Sequence, residues 1–377
     1  MSPIKIGFVG LSATGGWAAT ALHTPLAHPD LASKYALTAV STSSEASAKA
    51  SAEKYGAAGA YHGATDAIAG DPNVDLVVVS VKAPDHKKAV LPAIAKGKDV
   101  FVEWPLGNGL AEAREIAQAA SEKGVKTIVG LQSWQVPAIR KIKEWIAEGK
   151  IGKVLSASWL VWKDPSLPFY SPWTTPAGLY AIYPENGATF PDILIGHNLS
   201  FILYALGPLA SVSATTATTI PTVKVAASAD APDAESQFVP VQVPDQWAFT
   251  GTLADSGALL TASWRTLASA PPAQNALPPL TFVVEGTKGQ IRVESDRSLA
   301  PQVHGVERVF LNGAPVDLAA ENAVLGSSTG RAWAEFAKGA DAGGVYPTFE
   351  DAVGLHQHVE AIKVSAREGR RVEVSQV

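Results

Sequence analysis

The rhythm of apolar positions changes near residue 150, and the change divides the chain. Before it, short apolar runs alternate with helical stretches. IKIGFVG stops at a glycine and is followed by WAATALHTPL; YALTAVST is followed by SEASAKASAEKYG, VDLVVVSV by HKKAVLPAIAKG, and DVFVE by AEAREIAQAASEKG, with KTIVGLQ as a further strand. VDLVVVSV is strongly β-branched, as a parallel strand buried on both faces should be. Strands alternating with helices predict right-handed βαβ units and a parallel sheet. After residue 150, KVLSASWLVW, LASVSATTATT, QWAFTGTLA, GALLTASWRT, LTFVVEG and GQIRVES read as strands joined by turns, which predicts a mostly antiparallel sheet. PDILIGHNLSFILYALG interrupts them as a helix. FEDAVGLHQHVEAIKVSAREG closes the chain as another, with Leu355, Val359 and Ile362 on one face. VAASADAPDAESQFVPVQVPD is rich in alanine, proline and aspartate and reads as a mobile loop or flap.

Composition narrows the function classes. The chain has 377 residues, 47% of them hydrophobic and 17% charged, enough for a large core and for two domains. A net charge of −5 without a basic block argues against nucleic acid as a direct ligand. The chain contains no cysteine, which excludes disulfides, thiolate nucleophiles and cysteine metal sites. His356 and His358 stand two apart, so on a helix they diverge, and no metal site is expected. The N-terminus enters a strand at once, and no run has the length of a membrane span. The expectation is a cytoplasmic protein.

GFVGLSATGGW lies where the first strand meets the first helix. A dinucleotide-binding turn needs glycine there for a tight bend and close approach of the pyrophosphate to the helix N-terminus. Gly10 fits the bend, Gly15 or Gly16 fits a close helix–strand contact, and Ser12 stands near the middle glycine's place. The second strand ends in Ser41, Thr42 and Ser43 rather than in the acid that binds a ribose 2′-hydroxyl. NADP is therefore slightly favoured over NAD, although these hydroxyls could equally cap the next helix. The predicted fold is α/β. An N-terminal Rossmann dinucleotide-binding domain occupies residues 1–132. An α/β domain for substrate binding and dimerisation, on a mostly antiparallel open sheet, occupies 133–377, with the C-terminal helix able to pack back on the first.

These residues resemble the glucose–fructose oxidoreductase/inositol dehydrogenase (Gfo/Idh/MocA) family. The family's E-K-P motif reads Glu103-Trp104-Pro105 here, and its histidine at the fourth Rossmann helix matches His86. GFVGLSATGGWA, FVEWPL, TIVGLQS, EGKIGKV, ENGATF, IGHNLSFIL, VPDQWAFTGTL and EGTKGQI look closest to the fungal galactose-regulon repressor-like subgroup. The best-known member of that subgroup is a transcriptional regulator that binds dinucleotide. The resemblance implies cofactor contacts from Gly10, Ser12, Ala13, Thr14, Gly16, Trp17, Ser41, Thr42, Ser43, Val81, Lys82, His86, Glu103 and Trp104.

Hydride transfer from a carbinol needs a base for the hydroxyl proton. The family supplies the E-K-P lysine together with an aspartate and a histidine one helical turn apart. His197 is retained, but Ile193 stands four residues before it, and on an α-helix the neighbouring Asp192 would point about 100° away. Trp104 cannot act as a base and reads as a flat wall beside the nicotinamide or a sugar face. His197 is the main catalytic candidate, with Lys163 and Tyr183 as weaker ones. Gln132, Trp134, Trp162, Tyr170 and Asn198 join Trp104 as substrate contacts, in or near an aromatic tract that suits sugar faces. The reading is an NAD(P)-binding oxidoreductase homologue for a sugar, polyol or other small carbonyl or hydroxyl compound, and a homodimer. The alternative is a non-catalytic dinucleotide-binding regulator with a protein partner, for which the nucleus is also possible.

Overall fold

The computed structural model describes residues 2–228, 237–269, 277–302 and 305–377. The chain divides into two units, Met1–Gln135 with Ala320–Gly354, and Val136–Ala319 with Leu355–Val377.

In the first unit, β1 (Ile4–Val9), β2 (Tyr35–Thr42), β3 (Gly59–His62), β4 (Leu76–Val79), β5 (Asp99–Glu103) and β6 (Thr127–Gly130) form a parallel sheet in the order β3-β2-β1-β4-β5-β6. All of β4 is buried, as its unbroken Leu-Val-Val-Val run requires. The alternating helices form where expected. The Glu45–Tyr55 helix starts at Ser44, whose hydroxyl accepts from Ser47 N–H, and ends at the left-handed Gly56. WAATALHTPL departs from expectation. It forms a π-helical segment, Ala18–His23, and then a 3₁₀ turn, Thr24–Ala27, because Pro25 has no N–H with which to continue a regular helix.

The Ser328–Lys338 helix also belongs to this unit, although the sequence pattern had assigned it no element. Its Trp333 is fully buried in the core with Phe101 and Tyr35. The Trp333 indole donates to Leu22 O at 3.0 Å, and the Tyr35 hydroxyl donates to Trp333 O at 2.7 Å.

The second unit contains β7 (Val154–Lys163), β8 (Trp173–Thr174), β9 (Leu209–Ala217), β10 (Thr222–Val225), β11 (Gln237–Pro240), β12 (Gln246–Leu253), β13 (Leu259–Thr266), β14 (Leu280–Gly286), β15 (Gly289–Ser295), β16 (Arg308–Leu311), β17 (Ala314–Pro315) and β18 (Val372–Glu373). Among the described residues the large sheet runs β17-β16-β15-β14-β7-β13-β12-β9-β18. Its pairs are antiparallel except β7 with β13. Trp159, Trp264 and Phe282 point from one face and pack beneath the Gly196–Leu206 helix, with Phe201 5.1 Å from the Trp159 ring. The stretch read as a flap begins at Val225, the last residue of β10, and includes β11; the two strands pair antiparallel and β10 joins β8 in a small sheet. The rest of that reading, residues 229–236, lies outside the described residues. The Pro137–Ala147 helix, also absent from the sequence reading, packs against the Gly196–Leu206 helix.

Candidate functional site

The order of the first sheet reverses between β1 and β4, and dinucleotides bind at such switch points beyond the carboxyl ends of the strands. Gly10 occupies this point. Its N–H donates to Ser41 O at 2.9 Å, its φ is +100°, and a Cβ there would lie 2.4 Å from Ser80 O. No other residue fits. Gly15 and Gly16 differ from expectation, because a Cβ at either would meet nothing within 4 Å. They are glycines for their positive φ and not for a close helix–strand contact. The turn is consequently open on that side, which fits a pyrophosphate. Ser12 and Thr14 share a hydroxyl pair at 2.8 Å.

Two residues overlooked in the sequence steady this turn. The Tyr55 hydroxyl donates to Ser12 O at 2.8 Å and Lys54 Nζ to Ala13 O at 2.6 Å. Both come from the end of the helix after β2, too far along the chain for a local motif to reveal.

At the end of β2, Ser41 is buried, Thr42 shares its hydroxyl with Ser47, and Ser43 is exposed. Glu45, at the start of the next helix, is paired with Lys49. Val81 is half-buried and Lys82 exposed, just past β4. His86 is turned inward. Its ring is 1% exposed, with Nδ1 2.7 Å from Pro105 O and Nε2 3.1 Å from Val81 O. Both ring nitrogens face the chain's own backbone.

Glu103 ends β5 against Gly130, where a Cβ would lie 2.3 Å from its Oε2. Burial pushes its carboxyl up to about 7, against hydrogen bonds from the Trp17 indole, the Gln132 amide and the Trp104 backbone. The Gln132 amide N–H reaches both carboxyl oxygens at 3.3 Å, and its own carbonyl oxygen is buried without a partner among the described residues. Trp17 is 41% exposed, whereas Trp104 is buried, so Trp104 is less an open wall than part of the packed strand end. Trp134 is half-buried in the short turn Gln132–Gln135.

In the second unit, His197 lies near the start of the Gly196–Leu206 helix, with its Nδ1 buried and unpartnered among the described residues. Burial drives its pKa down to about 3, so the ring is neutral. The preceding turn, Pro191–Ile195, is π-helical, and Gly196 N–H donates to Pro191 O five residues back. A π turn brings residues five apart into the relation that residues four apart have in an α-helix. The expectation that Asp192 points about 100° away from His197 rests on α-helical spacing, which this turn does not have. The Asp192 carboxylate accepts from Thr189 N–H at 3.0 Å and from Lys363 Nζ at 2.9 Å.

Other candidates are not brought together. The side chain of Asn198 is fully buried; its Oδ1 accepts from the Trp264 indole at 2.9 Å, and its Nδ2 has no partner among the described residues. By strand alternation Trp162 points to the face opposite Trp159 and the helix that carries His197. Lys163 is 1% exposed, donates to Asp164 O at 3.1 Å and Leu167 O at 3.0 Å, and is pushed down by burial to about 7. It pins its own loop. Tyr170 donates to Ala188 O and lines a cavity of about 20 Å³, room for a single water and not for a sugar. Tyr183 is half-buried in the loop before the π turn.

Residues 4–131 match the model of an oxidoreductase family with an NAD-binding Rossmann fold, and residues 137–295 that of the Gal80p C-terminal domain. The dehydrogenase aclE of Aspergillus oryzae is 32% identical over 97% of both chains. The chain belongs to the Gfo/Idh/MocA oxidoreductase family. Within it, the galactose/lactose metabolism regulatory protein GAL80 of Saccharomyces cerevisiae is 28% identical over 79% of this chain and 68% of its own. A crystal structure of a Saccharomyces cerevisiae Gal80p super-repressor mutant superimposes with a TM-score of 0.86 at 24% identity, over 100% of this chain and 99% of that one. Levoglucosan dehydrogenase in complex with NADH and levoglucosan superimposes at 0.75 with 20% identity, over 99% and 100%. Both share the fold. No helix among the described residues is long and apolar enough to cross a membrane.

Proposed function

We propose that the protein is an NAD(P)-dependent oxidoreductase acting on a sugar, polyol or other small hydroxyl or carbonyl compound, NADP slightly preferred. The glycine turn and the exposed Trp17 support the cofactor, which would supply or accept the hydride. The absence of a carboxylate at Ser41–Ser43 supports NADP. The observation that carries the substrate reading is His197, a buried imidazole whose Nδ1 has no partner among the described residues. Buried polar atoms rarely stay unpaired, so this one is suited to a ligand hydroxyl or carbonyl oxygen. Because the ring is neutral, its part is to hydrogen-bond the reacting oxygen and receive its proton transiently rather than to store one. Asp192 is paired with Lys363, and Trp104 leaves the E-K-P lysine unreplaced.

Assaying NADPH and NADH oxidation and reduction against a panel of sugars, polyols and carbonyls tests this. Turnover should fall about a hundredfold or more in His197→Ala. Turnover unaffected by that change would refute the role of His197.

The match of residues 137–295 to the Gal80p C-terminal domain, together with Trp104, favours a second reading: a dinucleotide-binding regulator with a protein partner. Tight cofactor binding without turnover on any panel member would select it. Either way we propose a homodimer, cytoplasmic under the first reading and cytoplasmic or nuclear under the second. Leu160, Trp162, Leu259 and Val283 lie on the less buried face of the large sheet, and a concentration-independent monomer mass in sedimentation would contradict association there.

A further inference from the structure

Two loops of the first unit end on carbonyls that point at one ring. Val81 follows β4, Pro105 follows β5, and His86 stands between them, 1% exposed. Both partners are acceptors. A neutral imidazole has one N–H and one lone pair, so it can donate to only one of them. Burial holds the ring toward its neutral form. The two carbonyls and the charges of Asp85, on its own turn, and Glu112, on the Gly109–Lys123 helix, pull the other way. The shorter contact, 2.7 Å to Pro105 O, is the one a single N–H would keep. Pro105 has no N–H of its own, so its carbonyl is the backbone handle by which the turn after Trp104 can be fixed.

We propose that His86 is a positioning residue for Trp104: as the Nδ1–H tautomer it donates to Pro105 O and holds the Trp104–Pro105 turn in the shape that the dinucleotide site requires. This rests on the dinucleotide-binding reading above. His86 acts through the backbone and touches no ligand. The Nε2 lone pair is left facing Val81 O at the longer distance. An asparagine amide reproduces the Nδ1 donor, because its nitrogen is attached at the same distance from the backbone. Leucine fills the space and donates nothing.

Three readouts test the proposal. Nitrogen-15 NMR of histidine-labelled protein should show the His86 ring protonated at Nδ1, and a ring protonated only at Nε2 overturns the proposal without any variant. In the free protein, the emission of Trp104, assigned with Trp104→Phe, should shift in His86→Leu and not in His86→Asn. NADPH affinity should fall about tenfold in His86→Leu and stay within about twofold in His86→Asn. A folded His86→Leu protein with unchanged emission and affinity refutes the proposal. If the parent protein binds no NADPH, the dinucleotide reading fails and the link to the cofactor falls with it, whereas the ring tautomer and Trp104 emission still decide whether His86 holds the turn.

Discussion

Glu103→Gln is the most informative single change in the first unit. The carboxyl is buried against Gly130, and its pKa is raised from an ordinary 4.5 to about 7. That gap corresponds to about 3 kcal/mol of folding free energy. Because the folded value lies above the unfolded one, the contribution is whole below about 4.5 and is lost as pH rises through about 7. The parent protein should therefore lose about 3 kcal/mol of stability between roughly pH 4.5 and pH 8 from this group alone. A glutamine side chain has the same shape and no charge to desolvate. Its carbonyl can accept from Trp17 and the Trp104 backbone, and its amide can donate to the Gln132 oxygen, which has no partner among the described residues. The variant should match the parent near pH 5 and exceed it at pH 8, measured by urea unfolding at each pH. Parallel pH profiles for the two proteins would refute the assignment of a raised carboxyl to Glu103.

Two further changes probe the fold that carries the site. Gly10→Ala places a methyl 2.4 Å from Ser80 O at a φ of +100°, and should cost about 3 kcal/mol or more and remove NADPH binding; a variant with parental unfolding midpoint contradicts the geometry. Trp333→Ala removes a fully buried ring that also bonds Leu22 O, and should cost about 3–5 kcal/mol in chemical unfolding, whereas a loss under 1 kcal/mol would show that the helix is peripheral.

The parallel sheet was legible because its strands are short, apolar and separated by amphipathic stretches. The second sheet was legible because its strands alternate. Elements whose identity depends on distant partners were missed. The Ser328–Lys338 helix gains its meaning from Trp333 packing on residues some 300 positions earlier. The Tyr55 and Lys54 bonds to the glycine turn are likewise non-local. Local geometry differs from expectation where regular spacing was assumed. At Asp192 an α-helical period was applied to a π turn, and at Gly15 and Gly16 close packing was inferred where backbone conformation is the constraint. His86 was found by resemblance, but its direction is set by two carbonyls that no local pattern encodes.

The central claim is that the first unit holds a nicotinamide dinucleotide. Titrating the purified protein with NADPH and, separately, NADH while following tryptophan emission tests it most directly. Saturable quenching with both, tighter for NADPH and abolished in Gly10→Ala, is the predicted result; no saturable change with either cofactor up to millimolar concentration would contradict it.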